Sequence, residues 1–164
     1  MLHNVETYCE LKSRADSNRK NFWYILTVLI VSIVFGIFKF KQQDTIIDRY
    51  NNATVYKTTA YTLHYSECKK KPDHKEYGKT FTGAQATVGR TVAVDPDYIP
   101  LGSHIFIMSG IIIEGKKYYE FIAEDTGNAV KGKQIDIYFG DEKQHDKAIK
   151  YGLKYLLVYI KGDK

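Results

Sequence analysis

Cysteine and proline are scarce in this sequence, with two Cys and three Pro in 164 residues, and both shortages exclude something. Cys9 and Cys68 stand on opposite sides of a long apolar run. If that run crosses a bilayer they cannot pair within one chain, so no disulfide framework holds the fold. No Cys-x-x-Cys pair or other zinc-type spacing occurs, and no metal or cofactor is expected. Dense positive charge is also missing. The formal charge is +5, yet from residue 51 onward 17 Lys and Arg face 14 Asp and Glu, and Lys69-Lys70-Lys71 is the single cationic run there. A nucleic-acid binder shows a denser stripe, so that class is set aside. Internal repeats and low-complexity tracts are absent too, which rules out a solenoid and extended disorder. The length suits one ordinary domain with an appendage.

What is present begins with residues 22–38, seventeen residues without charge or proline, bracketed by Arg19 and Lys20 before and Lys39 and Lys41 after. A helix there reaches about 26 Å at about 1.5 Å per residue, close to a hydrocarbon core of about 30 Å, with Trp23 and Tyr24 placed for an interfacial belt. A helix apolar all round would need partners on every side of a small soluble domain. A cleaved signal peptide would want a small-residue site, where this chain reads Phe-Lys-Phe-Lys-Gln-Gln. The expected organisation is a cytoplasmic segment over 1–21, a transmembrane helix over 22–38, a polar stalk over 39–53 and a domain over 54–164. Four Lys and Arg before the span against three in residues 39–50 favour an inside N-terminus, a single-pass topology and an extracytoplasmic domain.

From Val55 the pattern becomes short β-branched and aromatic runs, at 55–63, 88–94, 104–108, 117–124, 134–139 and 155–160, punctuated by glycine and proline. One short helix is expected over Glu142–Tyr151, stopped by Gly152. Six short strands and one late helix point to a mainly β domain, a small closed barrel. Pro96 and Pro100 force the chain out of the sheet after Asp95.

Three aspartates stand out, although each has an ordinary explanation. Asp136 interrupts the strand-like run Gln134–Phe139, where period two places Ile135, Ile137 and Phe139 on one face and Asp136 with Tyr138 on the other. A carboxylate on a wet sheet face would look the same. Asp125 in Asp-Thr-Gly suits an Asx turn, and Asp95 before Pro96 suits turn initiation.

Their joint arrangement is more telling. Thr80-Phe-Thr-Gly83, Val92-Ala-Val-Asp-Pro96, Ile99-Pro-Leu-Gly-Ser103, Ala123-Glu-Asp-Thr-Gly127, Val130-Lys-Gly132 and Ile135-Asp-Ile-Tyr-Phe139 together resemble the 3D domain, named for three aspartates and related to the MltA-type lytic transglycosylases. The resemblance runs from about Thr59 to Ile160. It implies a six-stranded double-psi β-barrel that cleaves peptidoglycan glycan strands without a metal. By motif, Asp136 matches the catalytic acid/base, with Asp125 and Asp95 as companions. Tyr61, Thr82, Tyr138 and Lys131 are the expected substrate contacts, the tyrosines for sugar rings and Lys131 for a stem-peptide carboxylate. Asn128 departs from the family's second glycine after Asp-Thr-Gly, a place where asparagine tolerates positive φ. Cleaving a glycosidic bond needs a carboxyl still protonated near neutral pH, and neighbouring carboxylates and burial supply that state.

Two other readings compete. A wall-binding module without catalysis fits the same barrel. A cysteine peptidase would use Cys68 with His64 or His104 as base, the nearby lysines favouring thiolate. A metal set of His64, Cys68, Asp73 and His74 fits no common ligand spacing.

Overall fold

The computed structural model describes residues 2–161. The chain divides into two compact units, Met1–Asp48 and Arg49–Lys164. The first is almost wholly one helix, α1 (Leu2–Asn51). No proline and one glycine, Gly36, occur before residue 52, so nothing breaks the helix where residues 39–53 were expected to form a stalk. Within it, Asn18–Asn51 is long and apolar enough to cross a membrane, by length and composition. Its hydroxyls bond back to their own helix, Thr27 to the Tyr24 carbonyl and Ser32 to that of Val28, so they require no outside partner.

The second unit is a closed six-stranded barrel. Its strands are β1 (Thr54–Thr62), β2 (Thr91–Val94), β3 (His104–Ile113), β4 (Lys116–Thr126), β5 (Gln134–Gly140) and β6 (Lys154–Lys161). They close in the order β1-β5-β2-β4-β3-β6. Two neighbouring pairs, β1–β5 and β2–β4, run parallel and the other four antiparallel, within the double-psi barrel class expected. Closure leaves no free sheet edge. Inside, Val92, Val94, Ile105, Ile107, Phe121, Ile135 and Ile137 are fully buried, as the period-two reading of β5 requires.

Two helices flank the barrel, α2 (Tyr65–Cys68) and α3 (His145–Tyr151), the latter continuing a 3-10 turn over Glu142–Gln144. Gly152 ends α3 at φ 66°, its N–H reaching the Ala148 and Ile149 carbonyls. The expected strands miss two details. The run expected over 104–108 continues through Ser109-Gly110 to Ile113 as β3, with a register shift between Phe106 and Ile111. The true reversal is Glu114-Gly115, both at positive φ as a tight hairpin demands.

Candidate active site

Strand register assembles the site. Asp136 on β5 lies opposite Thr59 on β1 and Ala93 on β2, and Ala93 lies opposite Asp125 on β4. Thr59, Asp136, Ala93 and Asp125 therefore form one row across four neighbouring strands. All four line a cleft of about 720 Å³, whose walls include α2, the Glu76–Lys79 stretch and residues 126–130. Ala93 separates the two carboxylates with a side chain too small to fill the space above it, and it forms the floor.

A bulge aims Asp125 into this row. Val92 pairs with Ala123 and Ala93 with Asp125, so Glu124 is the extra residue that faces no partner. Without it Glu124 would occupy the row instead. Glu124 is buried, held by the Arg90 guanidinium at 2.6 and 3.0 Å and by the Thr91 hydroxyl at 2.9 Å, so the bulge is pinned by a charged, hydrogen-bonded anchor.

The two cleft aspartates differ in their surroundings. Asp125 is fixed by three donors: the Tyr61 hydroxyl at 3.0 Å, the Phe81 N–H at 2.9 Å and its own chain's Thr126 N–H at 2.9 Å. Asp136 accepts a bond of 2.7 Å from the Thr59 hydroxyl. Burial pushes its carboxyl up to about 6; the Thr59 bond opposes this, Glu67 and then Asp125 add to it, and Lys57 pulls it down. Burial, then Asp125, also drives the Tyr61 phenol far above its ordinary range, so it remains a donor.

Glu67 is the site residue that sequence reasoning missed. It sits on α2, lines the cleft, and accepts from the Thr62 N–H at 2.7 Å and the Thr62 hydroxyl at 2.6 Å. His145 Nδ1 approaches it at 3.8 Å from α3. In the sequence it is one polar residue in Tyr-Ser-Glu-Cys, and its direction toward Asp136 exists once α2 folds over the end of β1. Glu67→Gln removes a negative charge from beside Asp136, so the Asp136 pKa should fall. Carbon-13 NMR of the carboxyl reads this directly, and an unchanged titration would contradict the assigned role.

The other expected contacts lie elsewhere. Asp95 is buried and does not line the cleft; its carboxylate accepts from the Gly132 N–H at 2.8 Å and the Asp97 N–H at 3.3 Å. The Gly132 bond foremost holds its pKa below the ordinary value, with Lys131 contributing least. Asp95 thus clasps the loop that leads into β5, and Lys131 stands by that clasp. Tyr138 is 5% exposed and packs against Tyr61 at 5.4 Å between ring centres, so it supports Tyr61 and presents no face to a sugar. Thr82 is exposed in a turn, its hydroxyl 3.0 Å from that of Thr80. Asn128 is not among the positive-φ residues, so the loop keeps its course without the conformation expected there.

The two histidines of the thiol reading are engaged with other partners. Cys68 lines the cleft with Sγ near the Leu63 and Lys70 carbonyls. The ring nitrogens of His64 face Ser66 at 2.6 Å and Glu142 at 3.7 Å, and His104 pairs with Glu120 at 2.7 Å. Among the described residues, no three His, Cys, Asp or Glu side chains converge as metal ligands.

Residues 90–160 match the 3D domain family. The chain is 33% identical over 123 residues to the cell wall shaping protein YabE of Bacillus subtilis, covering 71% of this chain and 26% of that protein. It is 37% identical over 71 residues to the cell wall-binding protein YocH of the same organism, covering 43% of this chain and 21% of that one. It therefore spans about a quarter of the length of these relatives. The crystal structure of Escherichia coli MltA with bound chitohexaose aligns with 51% of this chain and 27% of its own, at 23% identity and a TM-score of 0.43. The matched segment carries β2 to β6 with all three aspartates, so residues 90–160 are similar to the 3D domain family.

Proposed function

We propose that this protein is a lytic transglycosylase that cleaves the bond between N-acetylmuramic acid and N-acetylglucosamine in peptidoglycan, with Asp136 as general acid and then base. The observation that carries the reading is a half-buried carboxyl, its pKa raised to about 6, on the floor of a cleft in a 3D domain. Asp136 gives its proton to the glycosidic oxygen as the bond to the anomeric carbon breaks and positive charge builds there. Asp125, oriented by Tyr61, Phe81 and Thr126, faces that charge from across Ala93. The Asp136 carboxylate then takes the proton of the muramic 6-hydroxyl as its oxygen closes onto the anomeric carbon. An anhydro sugar results, Asp136 is again protonated, and no water is consumed.

The apolar helix of Asn18–Asn51 supports a membrane anchor, and the Lys and Arg balance supports an inside N-terminus with the barrel on the wall side. A tether limits reach to glycan near the bilayer.

The test is digestion of purified peptidoglycan by the full chain, with mass spectrometry of the soluble products. Anhydro-muropeptides are expected; reducing-end products would make it a hydrolase. A second reading, binding without cleavage, is favoured by the wall-binding name of one relative, and it predicts co-sedimentation with peptidoglycan and no release. Activity should fall as pH rises through about 6, since the acid must be protonated for the first step. A rate that climbs across that range would contradict Asp136 as the acid.

A further inference from the structure

The site just described uses buried and half-buried groups, yet the bond from Phe81 N–H to Asp125 holds an outward-facing aromatic beside it. Phe81 is 69% exposed. A single exposed aromatic means little by itself; this one differs in how it is fixed. Its N–H donates to Asp125 Oδ1 at 2.9 Å, so its backbone touches a carboxylate that lines the cleft. The next residue's N–H reaches the Glu124 carbonyl at 3.1 Å, on the bulge that aims Asp125. The turn is closed by the Gly83 N–H on the Thr80 carbonyl at 3.0 Å and the Thr80 N–H on the Ala84 carbonyl at 2.9 Å. Gly83 takes φ +84°, which a side chain would resist, so the turn has one preferred shape. Lys79, two residues before, still lines the cleft. The chain thus leaves the cleft wall at Lys79, presents Phe81 at its lip and folds back on itself, Gln85 pairing antiparallel with Lys79.

We propose that Phe81 is a sugar-stacking platform at the lip of the cleft, taking the apolar face of an N-acetylhexosamine unit next to the bond that Asp136 attacks. The inference rests on the glycan reading of the cleft and gives a role to the Phe81 side chain, where that reading uses its backbone N–H alone. A pyranose ring presents a face of C–H groups, and an aromatic ring held in advance by its backbone meets it at little entropic cost. Tyr138, expected to play this part, is enclosed by the barrel and Tyr61. Phe81 has the open face that Tyr138 lacks.

The experiment compares the full chain with its Phe81→Ala, Phe81→Trp and Phe81→Ser variants, measuring chitohexaose affinity by calorimetry and Asp136 titration by carbon-13 NMR. Stacking predicts about tenfold weaker binding in Phe81→Ala and Phe81→Ser, affinity within about twofold of the original in Phe81→Trp, and unchanged Asp136 titration in all three. Equal affinity in Phe81→Ala and the original overturns the platform, and so does equal weakening in Phe81→Trp and Phe81→Ala, which would mark a disturbed turn. If the original chain binds neither chitohexaose nor peptidoglycan, the glycan reading itself falls, and the platform with it.

Discussion

Asp136→Asn should lose at least about a thousandfold in the rate of muropeptide release while keeping the fold and its affinity for peptidoglycan. The magnitude follows from removing the proton donor, since general acid catalysis contributes about a hundred- to ten-thousandfold and the same group serves in both steps. Retention of fold follows from the site. Asparagine is nearly isosteric, can still accept the Thr59 hydroxyl bond of 2.7 Å, and removes a carboxyl whose charged form burial disfavours. The variant should therefore melt no lower than the original at neutral pH. Thermal unfolding, co-sedimentation and product release, measured on one preparation, separate the outcomes. A variant that still releases muropeptides at an appreciable rate would require another acid, and Glu67 is the carboxyl placed to supply it.

Phe121→Ala should strike at stability, destabilising the whole barrel. Phe121 is wholly buried on β4 and pairs across to Ile105 on β3, also wholly buried. Truncating it removes an aromatic ring from the centre of a closed barrel and leaves a void that the hydrogen-bonded strands cannot collapse to fill. The cost is about 3–5 kcal/mol, a large share of the roughly 5–15 kcal/mol that stabilises an ordinary domain. Denaturant unfolding of the barrel should show the midpoint falling with little change in slope. A loss below about 1 kcal/mol would mean that the strands rearrange around the site more freely than the closed barrel allows.

The contrast between these substitutions also shows which parts of the molecule are legible in its sequence. The period-two pattern of Ile135, Ile137 and Phe139 places them in the core and turns Asp136 away from it, and both features stand in the barrel. Glycine and proline punctuation finds the strands and the end of α3. Register is another matter, because pairing between distant strands leaves little local trace. Ala93 as a floor between two carboxylates, and Glu124 as the residue whose insertion turns Asp125 inward, become visible once β2 lies between β5 and β4. Glu67 is hidden similarly: a four-residue helix is too short for any periodic signal. Asp95 has the opposite history. It lies in a motif of the 3D domain match, but Asp-Pro before a loop also serves to clasp backbone amides, and its bonds to Gly132 and Asp97 show that use. Tyr138 was expected to offer a stacking surface to sugar, yet it is 5% exposed and Tyr61, directly opposite it on β1, lies against its ring at 5.4 Å.

The most direct test of the central claim is digestion of peptidoglycan by the full chain in heavy-oxygen water. The mechanism proposed for Asp136 closes the muramic hydroxyl onto the anomeric carbon, so soluble muropeptides should carry the anhydro end and no solvent oxygen. Label at a reducing end, or no soluble product at all, would contradict it.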